Sequence, residues 1–326
     1  MNNNDNTPMV SVVMVAYNQE KLIKRAILGV VRQECDFPVE LIIADDSSTD
    51  GTCDVVEKMS RQYPGIIRLF RNERNLGVQR NYMEAFRHCR GRYMAMCDAD
   101  DYWCDHSKLA RQVGFLEEHP DYAMSFHRVI NHYAGTGTKS LSNPRQKTDC
   151  TIMDLAQSNF ITNCSVVYRR ELVDLTRLPE WMTHDCWPDY PLHMLYARYG
   201  KIRYFSRPMA VYRRGDTGNW TAVNEYRRQE KALAVRRHLL EEFKENHGVC
   251  NLLRYACSQA VIGLLATAPD SKTRSEAMRL AMEEYGYTYP LADCLSASWG
   301  ARPPLKRRLL KLARQTVSLF IPLPRP

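Results

Sequence analysis

No two cysteines in this chain have the C-x-x-C spacing of a redox or zinc site, and the eleven present are an odd number scattered over 326 residues. That excludes a disulfide framework, which comes as an even set in a short secreted chain. Reduced, partly buried thiols are expected instead, and with them a cytoplasmic setting. There is no run of about 18 consecutive apolar residues of the kind that spans a bilayer; the longest apolar stretch is AVIGLLATA at 260–268. The opening MNNNDNTP has neither a basic n-region nor an apolar h-region, so no secretory leader is expected. Internal repeats and low-complexity segments are also missing.

What remains is an ordinary globular composition, 44% hydrophobic and 25% charged, enough for one large domain or two modest ones. The net charge of +8 is unevenly placed. Residues 301–326 carry seven basic residues and no acid, which leaves the rest of the chain near neutral. The basic balance therefore belongs to a tail and does not argue for nucleic acid. Within it, PPLKRRLLKLARQTVSLFIPL (303–323) reads as an amphipathic helix with Leu305, Leu309, Leu312 and Phe320 near one face. Such a helix suits peripheral contact with an anionic membrane or packing on the body, and the pattern alone does not choose. Asn163-Cys-Ser and Asn219-Trp-Thr match the glycosylation sequon, a pattern that recurs by chance.

The first hundred residues alternate. VSVVMVA (10–16), VELIIA (39–44), GIIRLF (65–70) and RYMAMC (92–97) read as buried strands, with helical spacing between them over about 18–33, 52–62 and 79–90. This is the pattern of βαβ units on a largely parallel sheet. Beyond, a helix is expected at 105–118 and strands at 121–126, 164–169, 201–205 and 208–212. An exposed loop is expected over 132–150, and a helix entered through Pro188. From about 223 the chain reads as helices (223–245, 250–266, 271–285, 303–320). The domain reading is an α/β body over 1–220, divided near 104, and a helical region over 221–326.

In a parallel sheet, ligands bind beyond the carboxyl ends of the strands. There the chain places Ala16-Tyr17-Asn18, Asp45-Asp46 and Asp98-Ala99-Asp100-Asp101. In extended backbone Asp98 and Asp100 would share a face. Two carboxylates that close repel unless a cation lies between them, and Mg²⁺ or Mn²⁺ is the natural partner for carboxylate and phosphate oxygens. Asp101 reads as a cap or a supporting group.

VVMVAYN, IIADDSSTDGT, NERNLGVQRNYMEA and CDADDYW, in that order and each where a strand meets a loop, resemble the family 2 glycosyltransferases over roughly residues 9–220. The resemblance implies a GT-A fold and an inverting, metal-dependent transfer from a nucleoside-diphosphate sugar, with UDP as the leading nucleotide. The acceptor implied is a glycan or a lipid-linked glycan. It places Ala16, Tyr17 and Asn18 along the nucleoside, Asp45 on the base, Asn75 and Gly77 near base and ribose, and Arg80 against the nucleotide. Asp98 and Asp100 match the family's DxD pair, which holds the metal and the sugar diphosphate. Asp189 of DCWPDYPLHMLYARYG matches the catalytic base, with Asp185 as a competitor. Relatives often carry a histidine soon after a YR pair. Here Tyr212-Arg213 is followed by Arg214 and Gly215, which opens the question of a third ligand and suggests Arg213 or Arg214 for the diphosphate. His127, His184 and His193 are candidate ligands, though an isolated histidine is more often structural. A sugar-1-phosphate nucleotidyltransferase would need a Gly-rich basic loop where AYNQEKLIKRA stands, and the segment has none. The remaining alternative is an inactive sugar-nucleotide-binding or scaffold module.

Overall fold

The structure is a computed structural model that describes residues 7–184, 187–215 and 223–285. Asp185, the Asn219 sequon and the 303–323 segment lie outside the described residues. The chain divides into two compact units, Met1–Ala222 and Val223–Pro326.

The first unit is built on a ten-stranded sheet. Strands β1 (Val10–Ala16), β2 (Val39–Asp45), β3 (Ile67–Arg71) and β4 (Tyr93–Met96) are parallel and ordered β3-β2-β1-β4. In β1, Val10, Val12, Val13 and Met14 are all fully buried. Helices cover both faces, which is why its sequence runs apolar without alternation. Helices α1 (Ile23–Val31), α2 (Thr52–Gln62) and α3 (Val78–Arg87) connect these strands.

At the amino-terminal edge of the sheet, Glu40 of β2 is buried and holds three segments together. Its carboxylate accepts from the Ser11 hydroxyl at 2.6 Å, from Arg68 at 2.8 Å, and from the Arg90 backbone and guanidinium at 2.9 and 2.7 Å. Burial alone would raise its pKa. The hydrogen bonds from Ser11, Arg90 and Arg68 outweigh burial and hold the carboxyl below the ordinary range. Next to it, a Cβ at Gly91 would lie 2.5 Å from the Ser11 nitrogen, so only glycine admits this crossing.

Past Cys97 the sheet becomes mixed. After β5 (Tyr102–Trp103) and α4 (Lys108–Glu118) come β6 (Tyr122–Tyr133), β7 (Lys139–Leu141) and β8 (Asp149–Cys150). Then follow α5 (Ile152–Gln157), β9 (Val167–Arg169), α6 (Asp189–Ala197) and β10 (Lys201–Arg214). The order continues β4-β9-β6-β10-β5. Here β9 runs antiparallel to both neighbours, β6 and β10 are parallel, and β5 is antiparallel to β10.

Three expectations change. The 132–150 loop carries the short edge strands β7 and β8. Residues 163–165 form a 3₁₀ turn, which leaves only 167–169 as strand. The two strands expected at 201–205 and 208–212 are one, with the register against β6 shifting between Phe205 and Ala210. Pro208 falls in that interruption, where a residue without an N–H is tolerated.

The second unit packs α7 (Glu225–Glu242), α8 (His247–Thr267) and α9 (Ser271–Tyr285) around Leu233, Cys257, Val261, Leu264, Leu265 and Ala277. By length and composition α8 is apolar enough to cross a membrane. Leu253, Cys257, Val261, Leu264 and Leu265 on it are nevertheless buried within the fold, as in a packed core helix. The described cysteines are all free thiols.

Candidate active site

The pairing of Ala16 with Asp45 and of Val13 with Met96 brings the loops after β1, β2 and β4 to one edge. The first two are stitched together. Asn18 and Ser47 both adopt left-handed backbone, φ 54° and 59°. The Asn18 N–H donates to the Ser48 hydroxyl at 3.0 Å, and the Asn18 side chain accepts from the Thr49 N–H at 2.9 Å. Ala16 is buried and Tyr17 is exposed beside it.

Asp45 and Asp46 are both buried, with different duties. Asp45 closes its own turn, accepting from the Ser48 N–H at 3.0 Å and from the Ser48 hydroxyl. Asp46 holds the following loop, accepting from the Asn72 amide at 2.8 Å and from the Leu76 and Gly77 N–H groups at 2.8 and 2.9 Å. Gly77, at φ 85°, is the turn into α3, and Asn75 also accepts from its N–H at 3.1 Å. Arg80 lies exposed on that helix. The Asp45 carboxylate also has the Arg71 guanidinium at 3.8 Å, and Asp46 is the residue that positions the Asn75–Gly77 loop.

The acids after β4 are arranged by a turn. The Asp101 N–H donates to the Asp98 carbonyl at 3.0 Å, so the extended backbone expected for Asp98 and Asp100 gives way to a fold-back. It brings a third carboxylate in: Asp98, Asp100 and Asp101 each offer an oxygen within 4.8 Å of the others. Asp98 is held on both oxygens. The Tyr82 hydroxyl of α3 donates to Oδ1, and the Asn163 amide donates to Oδ2 at 3.0 Å. Asn163 also donates to the Tyr82 oxygen at 2.8 Å. Asp101 Oδ1 accepts from the Arg213 N–H at 2.8 Å, while Oδ2 is buried with no hydrogen-bond partner among the described residues. Neither Tyr82 nor Asn163 was legible as a site residue, and Asn163 stands out in sequence only as a sequon, a role its contacts with Asp98 exclude.

Crowding shows in the acidities. Burial raises the Asp98 carboxyl despite the Tyr82 and Asn163 bonds. Burial and then the Asp98 charge push Asp100 to about 7. Burial, with Asp100 and Asp98 beside it, drives Asp101 well above the ordinary range. Three carboxylates that each favour a proton, one with an orphaned buried oxygen, form a hard all-oxygen donor set that fits a divalent cation. The turn thus offers three carboxylates, and Gly215, just past β10, has no side chain to add to them.

Asp189 opens α6, near enough to the acidic turn for the Asp98 charge to act on it. Burial raises its carboxyl to about 6, the Tyr190 N–H acting against this and the Asp98 charge adding to it. Of the two arginines after Tyr212, the Arg213 charge favours ionised Asp100, while the Arg214 guanidinium lies over the Tyr133 and Tyr212 rings. The histidines are not in the cluster. His127 is buried on the Arg128 carbonyl, and His193 is buried on the Tyr168 hydroxyl at 2.7 Å. Burial holds both in the neutral form, well below the ordinary range for His127 and at about 3 for His193. His184 is exposed at the end of a 3₁₀ turn.

Residues 11–176 match the model of glycosyl transferase family 2, just over half the chain. The chain belongs to that family. Its relatives include the uncharacterized protein Rv1520 of Mycobacterium tuberculosis, 37% identical over 224 residues, which are 68% of this chain and 63% of that protein. The chain thus spans less than two thirds of that relative's length. Among solved structures, S. aureus TarS 1–349 in complex with UDP-GlcNAc superposes with a TM-score of 0.60 at 20% identity, over 94% of this chain and 88% of TarS. The mannosyltransferase PcManGT of Pyrobaculum calidifontis, in complex with GDP-Man and Mn²⁺, gives a TM-score of 0.55 at 19% identity, over 96% and 87%. At those identities the likeness is one of fold. It is the GT-A fold, a mixed central sheet with flanking helices, followed here by a helical region.

Proposed function

We propose that this family 2 member is an inverting glycosyltransferase, moving a sugar from a nucleoside-diphosphate sugar to a hydroxyl of a glycan or lipid-linked acceptor in surface polysaccharide synthesis. The observation that carries it is the cluster of Asp98, Asp100 and Asp101 at the end of β4, with Asp189 near enough for the Asp98 charge to act on it. The sugar nucleotides named with TarS and PcManGT, UDP-GlcNAc and GDP-Man, support the substrate class, and UDP is the leading nucleotide.

Ala16, Tyr17 and Asn18, with the Asn75–Gly77 loop held by Asp46, would line the nucleoside, and Arg80 would lie against it. Asp45, its carboxylate oriented by Ser48, would accept a hydrogen bond from the base. Asp98 and Asp100, with Asp101 beside them, would hold Mg²⁺ or Mn²⁺. When bound, the cation would neutralise the diphosphate and make it a better leaving group. Arg213 adds positive charge at the same place. Asp189 would take the proton from the acceptor hydroxyl as its oxygen bonds to the anomeric carbon and the bond to the diphosphate breaks. Attack from the face opposite the leaving group inverts that centre, so one base suffices.

Thermal unfolding against UDP, GDP, dTDP and CMP, each with and without Mn²⁺, tests this. A ligand of the native state raises the midpoint by mass action. A metal-dependent rise with one diphosphate, lost in Asp100→Asn, is expected. No rise with any nucleotide refutes the reading.

A further inference from the structure

The bonds around Asp98 close a ring. Asp98 Oδ1 accepts from the Tyr82 hydroxyl, the Tyr82 oxygen accepts from the Asn163 amide, and Asp98 Oδ2 accepts from the same amide. Asn163 pays for this, because its own Oδ1 is buried with no hydrogen-bond partner among the described residues. Turning the amide over would exchange its two donated bonds, to the Tyr82 oxygen and to Asp98 Oδ2, for contacts between acceptor atoms. Leaving a buried acceptor unmatched is disfavoured, and such groups call for an explanation in what they serve.

The ring's members come from far apart. Tyr82 is five residues into α3, next to Asn81, which donates to the Ala44 carbonyl at 2.9 Å and accepts from Asn72 at 2.9 Å. Asn163 sits in the 3₁₀ turn before β9. Two neutral groups from separate elements thus fix the rotation of one carboxylate without cancelling its charge. An arginine or lysine there would compete with a cation for the oxygens; a phenol and an amide do not.

We propose that Tyr82 and Asn163 are positioning residues that set the Asp98 carboxylate for a divalent cation, resting on the reading of the acidic turn as the metal site. Partners behind a metal ligand typically contribute about 10–100-fold in metal affinity.

The test is Mn²⁺ binding to the full chain, followed by the loss of the free-ion electron paramagnetic resonance signal, in wild type, Tyr82→Phe, Asn163→Ala and Asp100→Asn. Affinity for UMP without metal is measured beside it, with GMP, dTMP or CMP in its place if wild type prefers that base. Affinity for Mn²⁺ about tenfold or more weaker in Tyr82→Phe and Asn163→Ala, with monophosphate affinity held within about threefold, supports the proposal. Wild-type Mn²⁺ affinity in both variants while Asp100→Asn loses the ion overturns it and leaves the metal reading intact. A parallel loss of Mn²⁺ and monophosphate also overturns it, as general loosening. Failure of wild type itself to bind Mn²⁺ refutes the metal reading and the inference with it.

Discussion

Gly29 of α1 lies directly against the backbone of Trp103: a Cβ at Gly29 would sit 2.7 Å from the Trp103 carbonyl oxygen and 2.9 Å from its nitrogen. The contact clamps β5 beneath α1, and β5 begins one residue after Asp101. Trp103 is fixed from the other side by its indole N–H, which donates to the Cys164 carbonyl at 2.9 Å. The acidic turn is therefore framed by packing, which gives a first prediction. Gly29→Ala should destabilise the fold by about 1–3 kcal/mol through overpacking. Gly114→Ala, on α4 with open space around it, should be neutral or stabilising by about 0.5–1 kcal/mol. Urea unfolding of the two variants distinguishes a packing constraint from a general effect of adding a methyl group.

Glu40 makes a second prediction. It is 1% exposed, whereas the side chains of Arg68 and Arg90 keep 30% and 56% of their exposure. Removing the carboxylate leaves two cations that water can reach, so Glu40→Gln should cost about 2–3 kcal/mol, below the figure for a fully buried pair. Its folded pKa lies below the ordinary 4.5. Its stabilisation is thus complete above 4.5 and is lost as pH falls through the lower folded value. The acid limb of stability against pH should flatten in Glu40→Gln, as urea midpoints across that range will show.

As the proposed base, Asp189 sets the expected pH profile of transfer. A base acts deprotonated, and its folded pKa of about 6 lies above the ordinary 3.8. Turnover should rise with pH through about 6 and level off above it. The same shift has the opposite sign for stability, because the protonated form is favoured in the fold and its contribution fades as pH rises through 6. Asp189→Asn should lower turnover by about 10²–10⁴-fold while leaving nucleotide-dependent melting shifts in place. A substantial residual rate with the wild-type pH profile would assign the base elsewhere.

Asp46 should separate nucleotide from metal. Its three accepted hydrogen bonds hold the loop from Asn72 to Gly77. Asp46→Ala should weaken nucleotide binding by roughly tenfold or more, the worth of one or two such bonds. Mn²⁺ affinity should stay near wild type, since the Tyr82 side of α3 keeps its own contacts. Isothermal titration with each ligand alone decides it.

The parallel half of the sheet was legible because burial on both faces writes itself as unbroken apolar runs, and β1 to β4 with α1 to α3 fall close to where those runs and the helical spacing put them. The site was legible as residue types at strand ends. Its geometry was not. The fold-back that recruits Asp101 depends on one backbone bond, and Tyr82 and Asn163 reach Asp98 across 16 and 65 positions of chain. The short strands β7 and β8 carry too few residues to show a period. The Phe205–Ala210 interruption read as a gap between strands because Pro208 is an equally good signal for either.

The place of β9 has a consequence for how this chain can be made and cut. It is three residues long, arrives some seventy positions after β4, and yet lies between β4 and β6 near the middle of the sheet. A nascent chain that has emerged only as far as the acidic turn holds four strands and an unpaired β4 edge, an invitation to intermolecular pairing. A fragment ending near residue 104 should therefore aggregate instead of folding as a nucleotide-binding piece. A fragment that extends through β10 is expected to stay soluble where the shorter one does not, as sedimentation of the two expressed fragments will show.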